Sequence, residues 1–153
     1  MPIRLNTPTA ELIRIDVTTH PLFVRLWRTH HVECVTAHRL ERFCATEGLV
    51  LLCLADDPVK YKESLDLAAI TPDLAALFEG TLSAVGFSHP DHGRAMAARW
   101  GLRKLPAVAL FCHGRCLGGI EGLRTWDEYQ KELVRLLLSP LEEKTIIPIH
   151  PLT

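Results

Sequence analysis

The stretch Leu49-Val50-Leu51-Leu52-Cys53-Leu54-Ala55 constrains this chain more than any other. It is continuously apolar, opens after Gly48 and stops at Asp56-Asp57-Pro58. A strand with one wet face alternates apolar and polar residues, so a run without alternation predicts a strand buried on both faces. Such a strand needs cover above and below it, and helices supply that cover in α/β proteins. At 153 residues, 48% hydrophobic and 23% charged, the chain is long enough for one such core and too apolar for wholesale disorder.

The neighbouring segments supply the cover. His20 to His31 (HPLFVRLWRTHH) places Leu22, Phe23, Leu26 and Trp27 near one side of a helix, with Thr19 as its cap. Val32 to Thr36 predicts a short strand, and Ala37 to Thr46 a helix that ends at Gly48. A helical stretch from about Lys60 is expected to break and restart at Thr71-Pro72, with threonine as cap and proline as first helical residue. Thr81 to Phe87 predicts a strand, and a short helix is expected from Ser88, its cap, through Trp100. After Pro106 come a strand pair, 107–112 and 116–121, and a helix from Thr125 to Leu138. Right-handed crossovers make the early strands parallel and the last pair antiparallel. The expectation is an α/β fold with a mixed central sheet and helices on both faces. Residues 1–18 are expected to form an arm, 19–140 the domain, and 141–153 an extended tail.

Several functions find no support. The net charge of −1 gives no reason to expect nucleic acid or an anionic membrane surface as partner. No apolar run reaches the roughly 20 residues of a membrane span, and the N-terminus lacks the h-region of a secretory signal. The five cysteines (34, 44, 53, 112, 116) are therefore expected to be thiols in a reducing cytoplasm. Cys112 and Cys116 flank a short turn and are placed to face each other across it, yet with His113 they offer too few ligands for zinc. His89 and His92 share an H-x-x-H spacing, but Pro90 and Ser88 explain the stretch better as a helix start, and His30-His31 suit a helix C-terminus. No metal or cofactor is expected.

The segment RWGLRKLPAVALFCHGRCLGGIEGLRTWDEYQKEL, residues 99–133, resembles the C-terminal half of thioredoxin-like proteins: link, proline, strand, turn, strand, glycine, helix. LVLLCLADDPVKYK lies where those proteins carry the strand that leads into their Cys-x-x-Cys pair. Registering Ala55 with the small residue after that strand puts Pro58 and Tyr61 in the cysteine places and Leu52 where a buried aspartate assists proton transfer. Proline, tyrosine and leucine supply neither nucleophile, resolving thiol nor proton acceptor. The resemblance further implies a cis peptide at Leu105-Pro106.

Thioredoxin-like form without the redox pair, together with VLLCLADDP and the spacing from Gly122 to Trp126, resembles the HyaE/HoxO/HupG family of hydrogenase-maturation proteins over about residues 20–140. That resemblance implies a non-catalytic cytoplasmic chaperone for the small subunit precursor of nickel–iron hydrogenase or its twin-arginine signal peptide, with other maturation proteins as further partners. Asp56 and Asp57, at the carboxyl end of the central strand, can meet a partner's arginines or form a solvated turn that caps the next helix. Lys104, Leu105 and Pro106 are expected to offer main chain to an extended peptide. Pro58, Tyr61 and Trp126 complete the candidate partner-binding set, and no catalytic residue is assigned. The alternatives are a thiol–disulfide or metal-dependent enzyme using Cys112, Cys116 or Cys34, and a structural subunit of a larger maturation complex.

Overall fold

The run from Leu49 forms the middle of the sheet. In the computed structural model, which describes residues 15–146, β2 (Leu49–Leu54) is buried at every position. It pairs in parallel with β3 (Leu82–Ser88) and antiparallel with β4 (Ala107–Cys112). β1 (Glu33–Val35) lies parallel outside β3, and β5 (Arg115–Glu121) antiparallel outside β4, so the order is β1-β3-β2-β4-β5.

Side-chain alternation along β2 divides the interior in two. Leu49, Leu51 and Cys53 pack with α1 (Pro21–Arg28), α3 (Glu63–Ala76) and α5 (Trp126–Ile146) on one face. Val50, Leu52 and Leu54 pack with α2 (Leu40–Cys44) and α4 (Gly93–Ala98) on the other. The mixed sheet with helices on both faces is the architecture expected from the sequence, because an all-apolar strand has no face to give to water.

Local details depart from the expectation. His20, not Thr19, caps α1: its Nδ1 accepts the Leu22 N–H at 3.2 Å, while the Thr19 N–H bonds the Asp16 carbonyl. Val17 is part of the core, and the Trp27 indole N–H donates to its carbonyl at 2.9 Å. Val17, within the stretch expected to form the arm, thus packs on the domain, and residues 1–14 lie outside the described residues.

α3 does not break at Thr71-Pro72. Leu67, Ala68, Thr71 and Leu74 form one buried face across the proline, and the Thr71 hydroxyl donates to the Leu67 carbonyl at 2.7 Å instead of capping a new helix. Burial of that face outweighs the hydrogen bond Pro72 forfeits. α5 likewise continues through Pro140 to Ile146, so the tail predicted to be extended from 141 begins as helix. The Ser139 hydroxyl donates at 2.7 Å to the Leu136 carbonyl, the acceptor that the missing N–H of residue 140 would have used. The last residues, 147–153, lie outside the described residues.

α4 starts only at Gly93, because Ser88 ends β3 and its hydroxyl is bound to the Ala55 peptide rather than to a helix N-terminus. Cys112 and Cys116 do not face each other. Register pairs Phe111 with Cys116 and Cys112 with Arg115, so Cys112 packs on the α5 face and Cys116 on the α2 face. Neighbouring positions along a strand alternate sides, and this places the two sulfurs on opposite sides of the sheet.

Candidate functional site

Leu54 is paired with Ala107, and Ala107 with Glu121, so the end of β2, the start of β4 and the end of β5 meet at one margin of the sheet. Three loops converge there, and all eight predicted partner-binding residues belong to them.

The first loop follows β2. Asp56 Oδ1 accepts the Asp57 N–H at 2.7 Å, and Asp56 Oδ2 accepts the Arg94 Nε–H at 2.8 Å. Arg94 also lies over the Tyr61 ring, its guanidinium carbon 5.7 Å from the centroid. Asp57 Oδ1 accepts the Val59 N–H at 3.0 Å, and the Asp57 carbonyl accepts the N–H groups of Lys60 and Tyr61. Both aspartates thus shape their own loop, and neither caps α3, whose N-cap position has no side-chain hydrogen bond. Pro58 is buried and Tyr61 is 42% exposed.

The second loop precedes β4. Leu105-Pro106 is cis, as the thioredoxin resemblance implied. Glu121 Oε1 accepts the N–H groups of Arg103 at 2.7 Å and Lys104 at 3.0 Å, and these bonds hold its carboxyl below the usual range. The Lys104 carbonyl accepts the Gly122 N–H. Lys104 is therefore engaged through both main-chain groups within the fold. Leu105 has no backbone hydrogen bond among the described residues.

The third loop leads from β5 into α5. Gly122 turns it at φ +77°, a backbone conformation open to glycine. Thr125 and Glu128 then form a reciprocal cap: Thr125 Oγ1 accepts the Glu128 N–H at 3.2 Å, and Glu128 Oε1 accepts the Thr125 N–H at 3.1 Å. This cap sets Trp126 in the first turn with 42% of its surface exposed, beside Leu123 at 41%. Both are large apolar side chains left exposed at this end of the sheet.

Four of the five thiols are shifted away from the reactive thiolate. Burial pushes Cys53 up to about 12 and Cys44 up to about 11, and it raises Cys34 and Cys116 as well. At neutral pH these four are protonated and weak as nucleophiles. No group of three or more histidine, cysteine or acidic side chains could hold a metal ion among the described residues.

A cleft of about 620 Å³ opens beside the first loop, lined by Val17, Trp27, Cys34, Asp57, His89 and Pro90 among others. Only Asp57 of these belongs to the predicted binding set. The cleft assembles from residues 15–18, α1, β1, the loop after β2 and the segment after β3, and nothing in their spacing announced that they meet.

Residues 22–129 match the family described as hydrogenase-1 expression protein HyaE. Hydrogenase expression/formation protein HoxO of Cupriavidus necator is 30% identical over 130 residues, covering 84% of this chain and 81% of that protein. Hydrogenase expression/formation protein HupG of Bradyrhizobium diazoefficiens is 28% identical over 141 residues, covering 88% and 90%. Among solved structures, a Plasmodium falciparum thioredoxin superposes with a TM-score of 0.50 at 13% identity, over 68% of this chain and 97% of that one. That likeness shows a thioredoxin-like fold.

Proposed function

We infer that this chain, which belongs to the HyaE family of hydrogenase expression proteins, is a non-catalytic chaperone in nickel–iron hydrogenase maturation. It binds the immature small subunit, or that subunit's twin-arginine signal peptide, in the cytoplasm before export. Family membership supports the hydrogenase-maturation role; the partner is the one the HyaE/HoxO/HupG resemblance implies, and the place where it would bind is read from the sheet margin described above.

The observation that supports it is the set of side chains that stands at this margin where the thioredoxin resemblance places a cysteine pair. Where a thioredoxin presents two cysteines, this chain presents buried Pro58 and exposed Tyr61. The cis Leu105-Pro106 segment begins the adjacent strand, and Leu105 retains a main chain able to pair with an extended peptide. Trp126 and Leu123 supply apolar anchors beside it, and Asp56 and Asp57 supply negative charge. No helix among the described residues is long and apolar enough to cross a membrane.

The test is calorimetric titration of the full chain with the small subunit precursor, with and without its signal peptide. Binding lost on removal of the signal identifies an export-gating chaperone. Binding retained moves recognition to the subunit body. In either case Trp126→Ala is expected to weaken binding by about 1–2 kcal/mol, the cost of truncating an aromatic anchor. Absence of binding to both forms overturns the reading.

A further inference from the structure

Arg94 occupies a seat that its neighbours build for it. Its Nε–H donates to Asp56 Oδ2 at 2.8 Å, and its guanidinium lies over the Tyr61 ring at 5.7 Å. A carboxylate at the edge and an aromatic face beneath are the two contacts a guanidinium takes best. The receptor half is held by the fold: Asp56 is only 19% exposed, and its second oxygen is fixed by the Asp57 N–H. The occupant is not held in this way, since the Arg94 side chain is 56% exposed and can swing into water without opening the core. α4 is pinned close by, because the space a Cβ would need at Gly93 is filled by the Ala55 carbonyl.

We propose that Asp56 and Tyr61 form a guanidinium-binding site, filled by Arg94 in the free protein and yielded to an arginine side chain of a partner peptide. Arg94 thereby acts as a built-in competitor that sets a threshold for binding. The ligand class is an arginine-bearing extended peptide. Lysine fits less well, because an ammonium lacks the planar fork and stacks poorly. The inference rests on reading this sheet margin as a binding surface, but its test does not involve the hydrogenase precursor.

The experiment is an NMR titration of the full chain with blocked diarginine (acetyl-Arg-Arg-amide) and with its dilysine counterpart. It compares the natural protein, Arg94→Ala and the double variant Arg94→Ala/Asp56→Asn, each checked by thermal melting. Removing the competitor is expected to tighten diarginine binding about three- to tenfold, the scale of one exposed ion pair plus one exposed cation–π contact. The gain should be smaller for dilysine and should vanish in the double variant. The proposal is overturned if Arg94→Ala binds diarginine no more tightly than the natural protein, if the gain survives Asp56→Asn, or if dilysine gains equally. A diarginine gain without precursor binding keeps this site and removes the chaperone reading; precursor binding without the gain does the reverse.

Discussion

Ala55 ends the central strand with its peptide held by a residue 33 positions away. Its N–H donates to the Ser88 hydroxyl at 3.0 Å, and that hydroxyl donates back to the Ala55 carbonyl at 3.3 Å. Ser88→Ala leaves the buried N–H unpaired, and urea unfolding is expected to register a loss of about 1–3 kcal/mol. Gly93→Ala drives a Cβ into the Ala55 carbonyl. A backbone atom cannot retreat as a flexible side chain does, so the same assay should show a loss of about 1–3 kcal/mol. Glu121 gives a pH prediction at the neighbouring loop. Its carboxyl is held below the usual range by two N–H donors, so its contribution is complete above the ordinary carboxylate pKa and is lost as pH falls through the lowered folded value. Hydrogen-exchange protection factors at Arg103 and Lys104 should drop over that acid window, and Glu121→Ala should lower them already at neutral pH. None of these contacts was legible in the sequence, because a serine before His89-Pro90 has the look of a helix cap and only the sheet brings it to Ala55.

The elements themselves were more legible than their ends. Helices and strands announced their existence through apolar spacing, but proline misled at Pro72, where local preference lost to packing, and α5 also runs on through Pro140. Pro72 still carries its penalty inside α3, since it offers no N–H to the preceding turn. Pro72→Ala is expected to stabilise the protein by about 1–2 kcal/mol, helix propensity outweighing the entropy gained by the unfolded chain, with a matching rise in Tm. The strand β5 shows another limit of pattern reading. Its Gly118 and Gly119 look like flexibility, yet a Cβ at Gly118 would meet Leu136 and one at Gly119 would meet Leu102. They are small because α5 closes on one face of the strand and Leu102 on the other.

At the scale of the whole molecule, the sheet and its two helical layers followed from one apolar strand and the order of the elements around it. The margin where the candidate residues gather was legible for a related reason: strand ends fix which loops meet. The cleft lined by Asp57 was not, since its walls come from five separate stretches of chain. The cysteines test the same logic. With Cys112 and Cys116 on opposite sides of the sheet, diamide treatment of the folded protein should yield no link between them in a non-reducing peptide map, whereas treatment in urea should. The sheet order has a further consequence for how the chain is made. Both partners of Leu49–Leu54 lie downstream, the second ending only at Cys112. At synthesis rates of about 5–20 residues per second, the most apolar segment of the protein waits on the ribosome for several seconds with no strand to join. A protein proposed to shelter an unfinished subunit thus passes through the same exposed condition at its own birth.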